Sequence, residues 1–565
     1  MKKYLLIACL FSSSLLSSAV YKTTPSNYIN DLKVLLPGDT LLLQDGDYTK
    51  GLRLSNINGA EGKNIVICGE NEHKAVLVAR DGSNTCDILN CSYISIENLK
   101  FDGKNLEAID AIKAGGSSNG WAHHIRIYNN LIVNHGGNQQ TVGISTKIPC
   151  WDWIIEHNRI IGAGTGIYLG NSDGTMPFIR GMIKQNLILN PTGYCMQIKH
   201  QLNRPDIPGI PKEPGQTTYI LHNTFSNNAA SGVGGAINCS GIYNSSNADI
   251  SNNIIINNSA NNGGGIYCTN NSPKITGNFI FNNTASNGGA IYCFNDGVPV
   301  IMNNSIANNT AANGGGGIYC DYTFSSPAIT GNTISNNSAS KGGALYCSLY
   351  SGLVVNNTII WGNTASTSGN QLYLDDENSD PDFYYCNIQG GTASFGLNDG
   401  IFYTGDFLNN IDTLPLFVAP TAGSGNSYNA STADWSLQIS SHAINAGTPD
   451  TAGLNLPATD ILGNLRISGT RIDIGAYEYA FPNAIDEHMS ACSVDIYPNP
   501  ADNYLTIETQ QKAGIEILSA GGQMIMTTYN IENKTTINIE NLAKGVYFIR
   551  VITKREVITK KVIKK

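Results

Sequence analysis

The stretch 264–293 reads GGIYCTNNSPKITGNFIFNNTASNGGAIYC and begins and ends on the same short motif, a Gly-Gly or Gly-Ala pair followed by Ile-Tyr-Cys. Related copies end at Cys320 and Cys347, and a degenerate copy ends at Cys239, so that successive cysteines lie 29, 25, 27 and 27 residues apart. A repeat of this length, built from short apolar runs without helical periodicity, is typical of a β-solenoid, in which stacked coils bury a shared interior.

Alternation within the motif predicts which side chains face that interior. Successive side chains of a strand point to opposite faces, so we expect Ile266 and Cys268 to point inward and Tyr267 outward. We interpret the repeated cysteines as a stack of small apolar side chains. Disulfides between adjacent coils are the alternative, because an exported protein can form them. Metal binding is less favoured, since no Cys-x-x-Cys pair occurs.

A second marker, Asn-x-(Ile or Phe), runs through a longer part of the chain. Its asparagines are Asn130, Asn158, Asn186, Asn223, Asn253, Asn278, Asn304, Asn332 and Asn357, with a looser copy at Asn387. One long interval, of 37 residues, contains the Pro-rich stretch 204–214, which predicts a loop inserted into one coil. We expect the asparagines to stack at a bend, each amide bonding the copy in the next coil, because buried polar groups need partners.

The two ends of the chain differ in composition from the repeats. Residues 1–19 combine Lys2 and Lys3 with an apolar run and a Ser-Ser-Ala end, which predicts a secretory signal peptide. No later stretch has 18 or more consecutive apolar residues, so no transmembrane helix is predicted. Residues 494–565 form alternating strands and carry ten basic and seven acidic side chains, hence +3, so the remainder carries −12 of the total −9. The negative net charge argues against nucleic acid as a partner.

The last part of the chain resembles a known export signal. YPNPA at 497–501, GVYFIRV at 545–551 and the basic C-terminus resemble the C-terminal sorting domain of type IX secretion cargo. The resemblance implies recognition by the type IX secretion machinery, export across the outer membrane, and removal or anchoring of the tail at the cell surface. The alternative is a small immunoglobulin-like β-sandwich with a binding role.

The first coils resemble another group of proteins. PGDT at 37–40 and DGDY at 45–48 are similar to the opening of right-handed parallel β-helix proteins, including polysaccharide lyases of the chondroitinase B and alginate lyase kind. The Gly-Gly-Ala-Ile-Tyr copies also look like repeats of bacterial surface adhesins. The predicted fold class is therefore all-β, a right-handed parallel β-helix (solenoid) followed by a small C-terminal β-sandwich. The predicted divisions are a signal peptide at 1–19, the β-helix at 20–408, a closing cap at 409–480, a linker at 481–493 and the sorting domain at 494–565.

Chemistry is predicted where the repeats are least regular, in residues 115–215. Polysaccharide β-elimination needs a base beside a uronate carboxylate and a cation that neutralises this carboxylate. Lys199 is the predicted base, Arg204 the predicted neutralising cation and His200 a helper. The alternative is a solvated strand end beside a loop.

Further candidate ligand-binding residues lie in the same part of the chain. Trp121, Trp151 and Trp153 could form a stacking platform for sugar rings, with packing in the core or at an edge as the alternative. Asn171 and Asp173 could bind calcium through oxygen ligands, with a structural turn as the alternative. Calcium is the only cofactor considered. The histidines at 123, 124 and 135 are a less favoured metal site.

Two functions follow from these patterns. The first is a secreted or cell-surface β-helix protein that binds extracellular polysaccharide or acts as an adhesin-like rod. The second is a polysaccharide lyase that cleaves an acidic, uronate-containing glycan. The sequence does not predict which glycan is bound or the oligomeric state.

Overall fold

The computed structural model describes residues 18–116, 119–199, 204–213, 216–240, 248–322, 327–480, 494–509, 512–520, 522–531, 533–553 and 557–565. Most of the predicted signal peptide and the whole predicted linker at 481–493 lie outside these residues. His200 also lies outside them.

The main body is a parallel β-helix, as the repeat predicts. Each coil contributes a strand to three parallel sheets, A, B and C, and strands one coil apart pair in register. The interior is one continuous apolar core of Ile, Leu, Val, Phe and Cys side chains from all three sheets. The predicted fold class is confirmed.

The strands are as follows. Sheet A contains Val20–Thr23, Thr40–Leu43, Ile65–Gly69, Cys91–Glu97, Ala122–Tyr128, Cys150–Trp151, Ile154–Glu156, Phe178–Ile179, Met182–Lys184, Thr218–Leu221, Ala248–Ser251, Lys274–Thr276, Val300–Met302, Ala328–Thr330, Val354–Asn356, Asp382–Tyr384 and Phe407–Leu408. Sheet B contains Gly46–Tyr48, Ala75–Val78, Lys100–Asp102, Leu131–Val133, Arg159–Ile161, Leu187–Leu189, Thr224–Ser226, Ile254–Ile256, Phe279–Phe281, Ser305–Ala307, Thr333–Ser335, Ile359–Trp361 and Asn387–Ile388. Sheet C contains Leu52–Ser55, Cys86–Leu89, Ile112–Ala114, Val142–Thr146, Thr165–Leu169, Met196–Ile198, Ile237–Ser240, Ile266–Thr269, Ile291–Phe294, Ile318–Asp321, Leu345–Ser348, Leu372–Leu374 and Phe395–Leu397. A short sheet D contains Ser259–Asn262, Thr284–Asn287, Thr310–Gly314, Ser338–Lys341 and Thr364–Ser368.

The repeated cysteines stack as predicted. Cys239 pairs in register with Cys268, and the series continues through Cys293 and Cys320 to Cys347. All five thiols are fully buried and free, so the ladder consists of small apolar side chains rather than of disulfides.

The asparagine ladder also forms, and in each member both the side-chain NH2 group and the side-chain oxygen form hydrogen bonds. Asn278 Nδ2 donates to Ile250 O at 2.8 Å and to Asn304 Oδ1 at 2.9 Å, while Asn278 Oδ1 accepts the backbone and side-chain N–H groups of Asn253. The same pattern runs from Asn130 to Asn332.

The last two predicted members, Asn357 and Asn387, are not in this ladder. Asn332 N donates instead to Thr358 Oγ1, and the register places Cys386 next, because the marker slips by one residue in these coils. Asn357 faces a later segment, and its Oδ1 accepts Thr448 N at 2.6 Å.

A second, shorter asparagine ladder was not predicted. It lies between sheets B and D and contains Asn258, Asn283, Asn309, Asn337 and Asn363, with Gln371 accepting from the last member. Its members also recur every 25 to 28 residues, and, like those of the first ladder, they are buried asparagines that occur once per coil.

The first coil is closed by a short α-helix, Tyr28–Leu32. Its Tyr28 ring is fully buried over the interior, and the hydroxyl donates to Gly51 O at 2.9 Å. At the other end, Phe395, Tyr403 and Phe407 pack around Phe383 and cover the last coil. No helix in the described part of the chain is long and apolar enough to cross a membrane.

The segment predicted as a cap, 409–480, begins by pairing with the last coil: Ile411 bridges Asn387 in parallel, and Asn410 Oδ1 accepts Cys386 N at 2.8 Å. Further on, it contains the antiparallel pair Phe417–Ala419 and Asp434–Leu437 and a 3-10 turn at Ala430–Thr432; a second 3-10 turn, Gly391–Ser394, precedes the segment. It runs back along the outer face of sheet B, where its aromatic and aliphatic side chains find apolar partners. The segment therefore touches the last coil at its start and shields a flank of the helix over the rest of its length.

The C-terminal unit is a β-sandwich of two antiparallel sheets. One contains Val494–Tyr497, Tyr504–Thr509 and Lys534–Asn538, and the other contains Met524–Ile531, Ala513–Ser519, Gly545–Thr553 and Val557–Lys564. The second sheet packs against sheet B, with the Phe279 and Phe548 ring centroids 5.8 Å apart. Arg550 Nη2 donates to Gln185 O at 2.8 Å in this contact.

Candidate functional site

The sequence-predicted site residues lie on two different faces of the helix. Lys199 follows the strand Met196–Ile198 of sheet C, whereas Trp121, Trp151 and Trp153 lie in or beside strands of sheet A. Arg204 lies beyond the undescribed residues 200–203, and burial lowers the pKa of its guanidinium. The residue assigned as the base and the residues assigned to sugar stacking therefore belong to different sheets.

The tryptophans do not form an open platform. Trp153 is buried in the core, where its Nε1 donates to Ala122 O at 3.1 Å. Trp151 points outward but is covered by Ile207 and Ile210 of the inserted loop. Only Trp121 is partly exposed, so the platform of three rings is a wrong interpretation: two of its members have no ring face open to a ligand.

A histidine sits between the two outward tryptophans. The His123 ring stacks on Trp151 at 4.5 Å and on Trp121 at 5.1 Å between centroids, and its Nδ1 lies 2.8 Å from His124 Nδ1. Burial, and then the neighbouring His124, lowers the pKa of His123 to about 4. Both rings are thus neutral at pH 7, and this stack is a packing feature of sheet A.

The predicted calcium residues form a self-contained turn. Asp173 Oδ1 accepts the backbone N–H of Thr175 at 2.9 Å and its hydroxyl at 2.6 Å, and Asn171 Oδ1 accepts Ser172 N. Among the described residues, no group of three or more His, Cys, Asp or Glu side chains could hold a metal ion. The turn interpretation accounts for these contacts.

Sheet C presents a continuous row of outward side chains, one per coil. Its members, paired in register from the first coil onward, are Arg53, Asp87, Lys113, Ser145, Tyr168, Gln197, Asn238, Tyr267, Tyr292, Tyr319, Tyr346 and Tyr373. Inward neighbours such as Leu52 and Leu54 are buried, which fixes the orientation of the row. The row is polar in the first half of the helix and aromatic in the second.

The tyrosines stack on one another. Consecutive ring centroids from Tyr267 to Tyr373 lie 5.6, 5.0, 4.3 and 5.1 Å apart, with interplanar angles of 26° or less. Each ring face is occupied by the next ring, so this half of the row stabilises the coils and offers no flat face to a sugar.

The polar half of the row borders an open cleft of about 660 Å³. Arg53 Nη1 pairs with Asp87 Oδ2 at 3.0 Å, and Asn84 Nδ2 donates to Asp87 Oδ1 at 2.7 Å. Gly115 and Gly116 also line the cleft, and their lack of side chains leaves its floor open. Leu89, Ala108 and Ile109 line the cleft beside these charged and polar side chains, so a ligand here can find both hydrogen-bonding groups and apolar contacts.

Beside the cleft, a buried carboxylate organises the next coil. Asp110 is 4% exposed, and it accepts Val142 N at 2.9 Å and Ser145 Oγ at 2.8 Å. Lys113 Nζ lies 3.5 Å from Asp110 Oδ2. All the contacts of this carboxylate hold the strand ends of sheet C together.

Two more lysines follow on the same face. Lys147 comes directly after the strand Val142–Thr146, and its Nζ lies 3.2 Å from the Tyr168 ring centroid. Burial, opposed by Asp110 and reinforced by Lys113 and Lys199, lowers the pKa of Lys147 to about 8. Burial also lowers the pKa of Lys199. The sequence analysis missed Lys113, Lys147 and Tyr168, although period-two alternation in the sheet C strands could have identified two of them.

Comparison with protein families supports both parts of the architecture. Residues 495–565 match the secretion system C-terminal sorting domain, and residues 264–413 match the right handed beta helix region. Residues 224–240 match the Chlamydia polymorphic membrane protein repeat. No curated protein matches the chain in sequence.

Several solved structures are similar in fold. A mannuronic acid specific polysaccharide family 6 lyase from human gut microbiota is 13% identical, with 67% of this chain and 82% of that chain covered and a TM-score of 0.35. An alginate lyase from Paenibacillus sp. str. FPU-7 is 18% identical, with coverage of 54% and 95% and a TM-score of 0.35. The A-module of a mannuronan C-5 epimerase from Azotobacter vinelandii is 12% identical, with coverage of 67% and 91% and a TM-score of 0.34. None of these likenesses carries an inference about activity.

The stacked coils, the matched repeat region and the matched tail together fix what kind of protein this is. The chain is a right-handed parallel β-helix protein with a type IX secretion C-terminal sorting domain, and it is secreted or held at the outer-membrane cell surface.

Proposed function

We propose that the protein binds extracellular polysaccharide along the outer face of sheet C, as a rod displayed at the cell surface. The observation that carries this proposal is the row of polar side chains beside the 660 Å³ cleft. Arg53, Asp87 and Lys113 pair in register in three neighbouring coils, and the coil spacing of about 4.8 Å gives an extended ligand a series of charged contacts along the helix axis. Secretion places this face where such polymers occur.

A binding experiment with paired variants tests the proposal. The secreted protein is incubated with a panel of immobilised plant, algal and animal polysaccharides. Asp87→Ala removes the carboxylate that Arg53 and Asn84 hold in the cleft, and we expect at least tenfold weaker binding to any polymer retained. Asp81→Ala, an exposed substitution in the adjacent loop, should bind as the wild type does. Retention of no polymer at all would contradict the proposal.

Cleavage of a uronate polymer by β-elimination is the second candidate function. The partly buried Lys199, whose pKa is lowered, favours it, because a neutral amine can accept a proton. Lys199 would remove the proton beside the uronate carboxylate, Arg204 would neutralise that carboxylate, and His200 would assist. The bond to the leaving sugar then breaks, and an unsaturated uronate remains.

The absorbance of the unsaturated uronate product tests this reaction. Incubation with pectin, alginate or chondroitin should raise it, and Lys199→Ala should abolish the rise. Lys274→Ala, which changes an exposed lysine of sheet A, is the matched control and should leave the rate unchanged. Activity that survives Lys199→Ala would show that Lys199 is not the base.

We also propose the chain divisions predicted from the sequence for the segments outside the described residues. Residues 1–19 are removed as a signal peptide, and 481–493 links the body to the sorting domain. Mass spectrometry of the exported protein tests both: the N-terminus should lie near Val20, and a cleaved tail would leave a C-terminus within or near 481–493.

A further inference from the structure

Three lysines converge on one part of the sheet C face. Lys113 lies within its strand, and Lys147 and Lys199 each follow the last strand residue of a later coil. Lys147 N donates to Ala114 O and Lys199 N donates to Leu169 O, so backbone bonds fix both positions relative to the preceding coil. Their charges are close enough to interact, since Lys113 and Lys199 both lower the pKa of Lys147.

Lys113 has a carboxylate partner, whereas Lys147 and Lys199 have no described ion pair of their own. Asp110 is the acidic group that interacts with Lys113 and Lys147, and it already accepts two hydrogen bonds from Val142 and Ser145. Within the described residues, Lys147 and Lys199 form no salt bridge with any carboxylate, and the undescribed segment 200–203 is His-Gln-Leu-Asn, which contains no acid. Asp87 and Glu107 line the cleft with Lys113, and Asp173 acts on the nearby Tyr168, but none of these carboxylates forms a described salt bridge with Lys147 or Lys199.

The surroundings keep the ammonium group of Lys147 in place. The Tyr168 ring lies under Lys147 Nζ, and the Tyr168 hydroxyl hydrogen-bonds Ser172 Oγ at 2.5 Å, which fixes the ring. Burial destabilises the charged form of Lys147 and of Lys199. An anion that binds between them would relieve both the mutual repulsion and the loss of solvation.

We propose that Lys113, Lys147 and Lys199 form an anion-binding subsite at the end of the sheet C cleft, and that the polysaccharide ligand is acidic. The inference rests on the proposed function and names its ligand class. The ligand presents a carboxylate, as in a uronate, or a sulfate ester to the three ammonium groups, while its neutral hydroxyls contact the cleft that Lys113 and Gly115 line.

The test compares matched polymers and matched variants. A polyuronate, the same polymer after reduction of its carboxyl groups, and a sulfated neutral glucan are titrated against the full-length secreted protein by calorimetry. We expect the polyuronate or the sulfated glucan to bind and the reduced polymer to bind at least tenfold more weakly. The polymer that binds more tightly identifies carboxylate or sulfate as the preferred group.

The double variant Lys147→Gln/Lys199→Gln should lose at least tenfold in affinity, whereas Lys63→Gln/Lys274→Gln, which removes two exposed lysines elsewhere, should lose little. Raising the salt concentration should weaken wild-type binding more than binding by the double variant. Wild-type affinity should also fall as the pH rises through about 8, because Lys147 loses its proton there. The groups that face Lys147 are Asp110, Lys113, Lys199 and Tyr168. The fall in affinity should be smaller in the double variant.

The outcomes separate the two proposals. Equal binding of the acidic and reduced polymers, with no change in the double variant, would overturn the anion subsite and leave polysaccharide binding intact. Absence of binding to every polymer would overturn the proposed function and the subsite with it.

Discussion

Buried asparagines show how single residues hold the coils together. Asn309 Nδ2 donates to Ile280 O and to Asn337 Oδ1, both at 2.9 Å, while Asn309 Oδ1 accepts the backbone N–H and the side chain of Asn283. Each amide therefore satisfies groups in the coil before it and in the coil after it. A gap in this ladder leaves donors and acceptors of both neighbouring coils buried without partners.

Replacing Asn309 with alanine should destabilise the protein strongly. At least three buried polar groups lose their partner, and we expect the free energy of unfolding to fall by about 3 kcal/mol or more. Asn313→Ala changes an exposed asparagine of the same coil and should have an effect below about 0.5 kcal/mol. Denaturant unfolding of the three proteins measures both differences. Equal midpoints for Asn309→Ala and the wild type would mean that water replaces the lost bonds.

The cysteine ladder predicts unreactive thiols. Burial raises the pKa of Cys239 to about 12, so almost none of this thiol is ionised at pH 8, and a reagent cannot reach it. In the native protein the thiols from Cys239 to Cys347 should resist alkylation, whereas the half-buried Cys68 should react first among the cysteines of the described residues. Peptide mass mapping after timed alkylation checks the order, and unfolding should make all the thiols react. Rapid native labelling of Cys293 would contradict the buried stack.

At the scale of the element, the glycine turn before the repeated strands of sheet C, such as Ile318–Asp321, has two unequal positions. A Cβ at Gly316 would collide with the carbonyl oxygens of Gly343 and Ser338 in the next coil. The following position is less restricted, because Ala290 and Ala344 occupy it in the neighbouring coils in register with Gly317. The first glycine is therefore required by the close approach of two backbones.

This difference predicts opposite results for two adjacent substitutions. Gly316→Ala should lower the free energy of unfolding by about 2 kcal/mol or more, because the methyl group meets backbone atoms that cannot move independently. Gly317→Ala should change it by less than about 1 kcal/mol. Thermal unfolding of the two variants measures the contrast, and a similar loss in both would show that the turn tolerates no methyl group at either position.

The elements themselves could largely be predicted from the sequence. The period of the cysteines and of the first eight asparagines gave the register, because identical side chains at a fixed interval can stack only in the same position of each coil. The prediction for Asn357 is wrong, because Thr358, its neighbour in the chain, takes the ladder position. Only the backbone pairing shows which of the two side chains faces inward. The second asparagine ladder carries the same kind of signal but sits beside a sheet with only five short strands.

At the scale of the whole molecule, the winding of the chain decides which side chains share a face, and this could not be predicted from the sequence. Lys199 and the tryptophans all fall within the irregular region 115–215, yet they belong to sheets C and A, because the lengths of the turns between strands set the sheet to which each residue belongs. The side chains that line the sheet C face come from positions 53 to 199, and no local motif links them. The sequence distinguishes residues 115–215 from the regular repeats, but it does not show which of their side chains share a surface.

The docked tail makes the stability of the whole molecule depend on pH. His157 and His222 lie where the sandwich contacts the helix, and burial followed by the charge of Arg550 lowers their pKa values to about 3 and about 4. Glu156, Lys184 and Arg126 face His157, and Lys184 faces His222, whose cavity also contains Asp460, Asp495 and Lys560. The ordinary pKa of histidine is about 6.5, so the unfolded chain takes up these protons first as the pH falls.

Stability should therefore be full above about pH 6.5 and should decrease as the pH is lowered towards 4. We expect the melting temperature to fall over this range, and the fall should be smaller in His222→Gln, whose side chain stays neutral. His442→Gln, which changes an exposed histidine, should follow the wild type. Limited proteolysis across the same range should release the tail earlier at low pH in the wild type than in His222→Gln. Identical profiles for the wild type and His222→Gln would show that folding does not lower the pKa of His222.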